Sequence, residues 1–320
     1  MFRKLVFAMV LTALSLGPAH AQDTGVDDRV RVVATFSILA DMVREVGGDR
    51  IALTTIVGRD RSPHTFEPTP SDARALGRAQ LLVHNGLGFE SWLPRLLEAS
   101  AFKGLDLIAS TGVQPLHLDE EAGEADHDDG DHGPGHDGGH HHHAGDIDPH
   151  AWQDLGNGVI YVRNIAEGLA QIDPAHAVGY RRRAQAYTER LRAEDRSIRD
   201  QIAAIPAEKR IMMTSHDAFG YFGHAYGVRL ISIVGISSDA RPTARAISTL
   251  IDRIRAQHIH ALFLENAANP KLMEQIARET GVRIGGTLYS DALGPVGHEA
   301  GTYLGMFKWN AQQLLDAFER

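Results

Sequence analysis

Short β-branched runs alternate with longer helical patterns along most of this 320-residue chain, and that alternation limits what it can fold into. Val30–Phe36, Ile51–Val57 and residues 80–84 read as buried strands in the first half. Residues 211–215, 229–234, 260–265 and 282–288 do so in the second, with helical patterns between, as at 38–46 and 272–280. A strand that is apolar on both faces must be covered on both, and helices in the crossover connections supply the cover. The expectation is an α/β fold of two lobes, each a parallel β-sheet flanked by helices.

Between the halves, residues 174–205 are rich in charge, with apolar Tyr187, Leu191, Ile198, Ile202 and Ile205 at steps of four, seven, four and three. This spacing predicts one rigid helix of roughly eight turns, begun at Pro174 and stopped by Pro206. The chain then divides into an N-terminal lobe, 28–173, a linking helix, 174–205, and a C-terminal lobe, 206–320. Residues 1–21 read as a cleavable signal peptide. Arg3 and Lys4 precede an apolar stretch at 5–16, and Ala19-His20-Ala21 forms a small-residue cleavage site. Gly17 and Pro18 break that stretch too early for a membrane span. There is no cysteine, hence no disulfide and no thiol for a lipid anchor. The expectation is a soluble, monomeric periplasmic protein.

The formal charge is −9, and it is concentrated. Residues 119–148 hold 11 acidic residues and no Lys or Arg, so loss of the first 21 residues leaves a chain whose whole net charge sits there. Seven of the 18 histidines fall between His127 and His143. A tract of Gly, Asp and His without apolar periodicity cannot offset its ordering entropy, so 119–147 is expected to be a disordered histidine-rich loop. Imidazole is a favoured zinc ligand, and the acidic field attracts cations. No basic face is evident, which excludes nucleic acid as a partner.

Four short motifs outside the tract stand at predicted strand ends or loop edges. Ser62-Pro63-His64-Thr65-Phe66-Glu67-Pro68-Thr69-Pro70 holds His64 on a proline-stiffened turn. Asp148-Pro149-His150-Ala151-Trp152 closes the tract and leads into a helix. Thr214-Ser215-His216-Asp217 follows one strand, and Leu288-Tyr289-Ser290-Asp291 another. Ligands of open α/β sheets sit outside the carboxyl ends of the strands, where His64, His216 and Asp291 fall. Three imidazoles and a carboxylate make a four-coordinate set suited to Zn²⁺.

The motifs PHTFEPTPSD, HNGLGFESWL (84–93), DPHAW, TSHDAFGYF and LYSDALG, in this order over most of the chain, resemble those of the receptors of zinc and manganese ABC importers, the ZnuA/TroA family. With the histidine tract, FLENAANPKLMEQIARETGV and Leu293-Gly294-Pro295, the chain looks most like the AztC kind of zinc receptor. The resemblance implies His64, His150, His216 and Asp291 as metal ligands, and two lobes joined by one long helix with little movement on binding. Manganese receptors of the family carry Glu at the position of His216, so the resemblance implies zinc. It also implies a membrane permease as partner, driven by a cytoplasmic ATPase, and leaves room for a periplasmic zinc metallochaperone.

The remaining polar residues read as supporting. Glu265, at a strand end, is expected to cap a helix or form an ion pair, with contact to a metal ligand as the alternative. Glu67 and Asp217 adjoin ligands but are expected to face solvent or cap helices. His258 and His260 are expected at the surface. In HNGLGFESWL, which also holds His84, Phe89 and Trp92 read as packing under the cleft. A zinc hydrolase is disfavoured: there is no His-Glu-x-x-His, and the contiguous Ser215-His216-Asp217 cannot converge as a triad. The expected function is high-affinity zinc capture and delivery to an ABC permease, with no enzymatic step. The alternatives are a manganese or other divalent-metal receptor of the same family, or a periplasmic zinc buffer or adhesin. The histidine tract is expected to be dispensable for tight binding.

Overall fold

The computed structural model describes residues 28–117, 147–233, 244–256, 259 and 261–319. The signal segment 1–21, the tract 119–146 and both His258 and His260 lie outside the described residues.

Two four-stranded parallel sheets form, one from each half of the chain. The first contains β1 (Val30–Phe36), β2 (Ile51–Val57), β3 (Leu81–His84) and β4 (Leu105–Ile108), in the order β2-β1-β3-β4. The second contains β5 (Ile211–Thr214), β6 (Arg229–Ser232), β7 (Ala261–Glu265) and β8 (Arg283–Leu288), in the order β6-β5-β7-β8. The strand order is the same in both, so each sheet has a switch point at the carboxyl ends of its two central strands. The central strand β1 is buried at every position but Arg31, as a doubly covered strand must be.

Sequence periodicity missed β4, because Leu105-Asp106-Leu107-Ile108 is short and only half-buried at an edge. Four predicted strands are shorter at one end: β3 begins at Leu81, β5 stops at Thr214, β6 stops at Ser232 and β8 begins at Arg283. The stop at Thr214 matters, since it releases Ser215 and His216 from the ladder. At β8, a side chain on Gly285 would run into the Phe263 ring, at 2.8 Å from its Cβ, so glycine lets the edge strand pack closely on β7.

The helices are α1 (Ser37–Gly47), α2 (Pro70–Gly77), α3 (Leu93–Ser100), α4 (Leu155–Ile172), α5 (Ala177–Ala203), α6 (Gly220–Tyr226), α7 (Ala244–Ala256), α8 (Lys271–Thr280) and α9 (Tyr303–Phe318). The expected linking helix is α5, preceded by a 3-10 turn at Pro174–His176. It starts three residues later than expected because Asp173 organises the turn, facing His176 Nδ1 at 2.9 Å and accepting a bond from the Tyr180 hydroxyl at 2.6 Å. At its far end the Arg210 guanidinium donates to the carbonyls of Ala203 and Ile205, which no further helical turn could satisfy ahead of Pro206.

One face of α5 is buried through Tyr180, Ala184, Tyr187, Leu191, Ile198 and Ile202. It packs on α1 and α4 from the first half and on α6 and α9 from the second. Arg183 on the same helix donates to the carbonyls of Val46 and Gly47, capping α1. A single apolar core runs through the first sheet, α5, α9 and the near side of the second sheet. A smaller cluster of Met213, Ile231, Leu250, Ile254, Leu262, Met273 and Ile276 lies on the far side. No helix among the described residues is long and apolar enough to cross a membrane.

Because α5 is a shared wall of the main core, Leu191→Ala should destabilise the whole molecule by about 2–5 kcal/mol. Val178→Ala, at an 81% exposed position of the same helix, should stay within about 0.5 kcal/mol. Urea denaturation followed by far-UV circular dichroism measures both; equal midpoints would remove α5 from the cooperative core.

Candidate metal centre

His64 stands in the loop after β2, where the prolines and two aromatic contacts fix the backbone. The Trp92 indole donates to the Pro63 carbonyl at 2.9 Å, and Phe66 packs on the Trp92 ring. Thr69 then caps α2 in a reciprocal box with Asp72. The His64 ring lies edge-on against Phe89.

His150 is placed by the two residues before it. Asp148 Oδ1 accepts the His150 backbone N–H at 2.9 Å and meets its Nδ1 at 2.8 Å. The Pro149 carbonyl accepts from the Asn85 amide at 2.8 Å. Asp148 is itself held to the strand-like stem that precedes the tract: its N–H donates to Leu116, and Ile147 pairs with His117. Tyr221 of α6 closes this stem, its hydroxyl accepting from Leu116 N–H and donating to the Asp148 carbonyl.

His216 follows β5 and meets Glu265, the last residue of β7, at the switch point of the second sheet. The His216 Nδ1 to Glu265 Oε2 distance is 2.7 Å. Glu265 Oε1 accepts three bonds, from the Ser215 and His216 backbone N–H groups and the Ser215 hydroxyl.

Asp291 follows β8, on a loop gripped mainly by the first half of the chain. Trp152 and Gln153 side chains both donate to the Ser290 carbonyl, at 2.9 and 2.7 Å. Leu293 N–H donates to the Ser37 hydroxyl, and Arg59 donates to the Gly294 and Gly301 carbonyls. On the other side Asn310 of α9 bonds both the N–H and the carbonyl of Tyr289.

These four placements converge. One donor atom from each of His64, His150, His216 and Asp291 falls in a group whose members all lie within 4.8 Å of one another. His64 Nε2 is 3.3 Å from His150 Nε2 and 3.4 Å from Asp291 Oδ2. Asp291 Oδ1 is 3.5 Å from His150 Nε2, and Oδ2 is 3.1 Å from His216 Nε2. The side chains of His150, His216 and Asp291 are at most 1% exposed, and that of His64 is 8%. His64 is thus the least covered of the four. Both Asp291 oxygens, both His216 ring nitrogens and Glu265 Oε2 are shielded from solvent without an aligned hydrogen-bond partner. Leaving such groups unsatisfied is costly, and a cation between them removes the cost.

Burial pushes the Asp291 carboxyl up, but the His216 and His64 imidazoles outweigh it and hold the group well below the usual carboxylate range. Burial likewise disfavours a charged His216, yet the Glu265 and Asp291 carboxylates beside it hold its imidazole well above the usual range. Glu265 ends below its usual range, burial being overcome by His216 and the Ser215 hydroxyl. These shifts have opposite pH consequences for folding. Asp291 and Glu265 stabilise above the usual carboxylate range and lose that contribution as pH falls through their lowered values. The His216 contribution is complete in acid and is lost as pH rises through its raised value.

Residues 32–317 match the family described as zinc-uptake complex component A, periplasmic, or ZnuA. This chain belongs to that family. Its members are substrate-binding receptors of metal ABC importers. The receptor is 31% identical to the manganese ABC transporter substrate-binding lipoprotein PsaA of Streptococcus pneumoniae, over 100% of this chain and 97% of that one. It is 32% identical to the manganese-binding lipoprotein MntA of Halalkalibacterium halodurans, over 99% of this chain and 100% of that one. Among solved structures it resembles the periplasmic zinc-binding protein TroA of Treponema pallidum, with TM-score 0.80 and 29% identity over 91% of this chain and 100% of that one. A periplasmic metal-binding protein of Candidatus Liberibacter asiaticus superimposes with TM-score 0.76 at 25% identity, over 91% of this chain and 100% of that one.

The other sequence candidates fall into place around this centre. Glu265 forms an ion pair with His216, one of the two roles expected of it, and that partner is itself a candidate ligand. Glu67 is exposed and Asp217 half-buried. His84 faces Asp106 at 3.0 Å and Glu90 at 3.9 Å, turned to the edge of the sheet. Phe89 packs on His64, His150 and Trp152, as expected of a floor to the cleft.

Asn85 and Glu90 are the residues that sequence reasoning missed. The tight turn Gly86-Leu87-Gly88, all at positive φ, lets Glu90 reach back to the Asn85 and Gly86 N–H groups and to the Thr35 hydroxyl. Burial pushes the Glu90 carboxyl up despite His84 and these bonds. Asn85 accepts from the Tyr161 hydroxyl at 2.6 Å while donating to Pro149. The Asn85-Gly86 pair within HNGLGFESWL is the available sequence signal for this turn.

Asn85→Ala would leave the buried Tyr161 hydroxyl and Pro149 carbonyl unpaired, and should lower stability without added metal by at least ~2 kcal/mol. Guanidinium denaturation measures it; a loss below about 0.5 kcal/mol would mean that both groups find other partners.

Proposed function

We propose that this receptor captures zinc between His64, His150, His216 and Asp291 on the periplasmic side of the membrane and delivers it to the permease of an ABC importer. The observation that carries this reading is the gathering of four donor atoms around buried Asp291 oxygens that have no aligned hydrogen-bond donor. A tetrahedron with arms of ~2.0–2.1 Å, the usual zinc–ligand length, has edges of about 3.3–3.4 Å. Three of the six edges, His64 Nε2 to His150 Nε2 and Asp291 Oδ2 to His64 and His216, measure 3.1 to 3.4 Å, and the four donors all lie within 4.8 Å of one another. Three imidazoles to one carboxylate favour zinc over manganese, which prefers oxygen donors. Four protein ligands also complete the zinc shell and leave no open position for catalysis, which fits capture and release.

The name of TroA supports zinc, whereas PsaA and MntA are named for manganese. The decision therefore rests on the ligands of this chain, and on His216 above all. Competition titration of purified receptor should find one tight zinc per chain, bound more strongly than manganese. His216→Glu should weaken zinc relative to manganese, and a chain lacking 120–146 should keep the tight equivalent while losing weaker ones. A wild-type preference for manganese would overturn the zinc assignment. Loss of the tight zinc on deletion, with the fold intact, would overturn the site.

In the absence of metal the His216 imidazole is held in its protonated form by Glu265 and Asp291, so zinc has to displace a proton there. Binding should strengthen as pH rises, with a net number of protons released per zinc taken up. Calorimetry in buffers of different ionisation enthalpy reads that number. No proton release would show that the His216 ring is already neutral before the ion binds.

A further inference from the structure

The two oxygens of Glu265 have separate tasks, and that separation assigns it a role in metal choice. Oε1 is taken up by three donors: Ser215 N–H at 2.9 Å, His216 N–H at 3.1 Å and the Ser215 hydroxyl at 2.5 Å. Only Oε2 is left for the His216 ring, in ion-pair contact 2.7 Å from Nδ1 though off the hydrogen-bond axis. The Glu265 side chain is fully buried, and this environment fixes how its carboxylate lies. A carboxylate oxygen this close to Nδ1 keeps a proton there, so Nε2, 3.1 Å from Asp291, is the nitrogen that gives up its proton when an ion binds.

We propose that Glu265 is a positioning residue that holds His216 in the Nδ1–H form, and that the preference for zinc over manganese depends on it. The inference rests on the reading of His216 as an ion ligand. The first half of the chain carries a related pair with a different allocation of oxygens. Asp148 Oδ1 alone serves both the His150 backbone N–H and the His150 Nδ1. The two carboxylates therefore respond differently to the same isosteric change.

In Glu265→Gln the single amide oxygen is claimed by the three donors at the Oε1 position. The amide NH₂ then faces His216 Nδ1 and selects the opposite ring form, with the proton on Nε2, where the ion must bind. In Asp148→Asn the amide oxygen can remain at the Oδ1 position and serve both donors of His150 as before. Geometry thus sets opposite outcomes for two substitutions that each remove one buried negative charge.

The test is competition titration of zinc and manganese on the full chain, as wild type, E265Q and D148N, with unfolding midpoints measured without metal as the control for folding. E265Q should bind zinc about 10–100-fold more weakly, with a smaller loss for manganese, so that the zinc-to-manganese ratio contracts. D148N should lose less than about tenfold and keep the ratio. Equal losses in the two variants, an unchanged ratio in E265Q, or zinc binding by E265Q at wild-type strength would each overturn the proposal. A wild-type chain that binds neither ion would instead overturn the reading of the site itself. Nitrogen-15 spectra of the zinc-loaded wild-type chain decide the matter if E265Q does not fold: His216 should show Nδ1 protonated and Nε2 shifted by the metal. Zinc on Nδ1 would overturn the proposal.

Discussion

A buried carboxylate among three imidazoles is the constraint around which this molecule is arranged. Asp291 has both oxygens withdrawn from water and its neighbours are ring nitrogens, so the cluster is at ease only with positive charge inside it. The Glu265 and Asp291 carboxylates hold the His216 imidazole well above its usual range, toward the charged form. On the proposed reading, metal and proton compete for one place. The four residues arrive from loops after β2, β4, β5 and β8, so the constraint is met only when both sheets are held in one relation.

Two features supply that relation. The helix α5 and the core it shares bind the sheets into one apolar body. The polar ties at the cleft then set the fine positions: Trp152 and Gln153 on the Ser290 carbonyl, Arg59 on Gly294, Ser37 on Leu293. The Asp291 loop belongs by sequence to the second half and is held in large part by hydrogen bonds from the first. A set of donors crossed in this way ties the two halves of the chain together at the cleft. On the proposed reading, such ties hold the site to one size, and imposed geometry discriminates between ions that similar donors would otherwise both accept.

Much of this was legible in the chain. His64, His150, His216 and Asp291 stand in motifs at strand ends, and parallel sheets bring strand ends together. The repeating apolar positions of 174–205 specified α5 because a helix that crosses two lobes must bury one stripe. Less legible were β4, whose edge position leaves no apolar run, and Asn85, whose partners Tyr161 and Pro149 lie 76 and 64 residues away in sequence. Glu265 was visible as a strand-end acid, but its partner was not. A carboxylate facing His216 and one capping a helix have the same sequence signature.

What the sequence determined by itself was the inventory and its order: strand and helix alternation, one long amphipathic helix, three separated histidines and an aspartate, and an acidic histidine tract apart from them. These follow from local periodicity and residue chemistry, which act over a few residues. Only the tertiary structure decided which acids attend which imidazoles, and which oxygen of each does so. That choice depends on the alignment of β5 beside β7 and on the ties across the cleft, and hydrogen bonds made at 3 Å between distant segments leave no periodic trace in the chain.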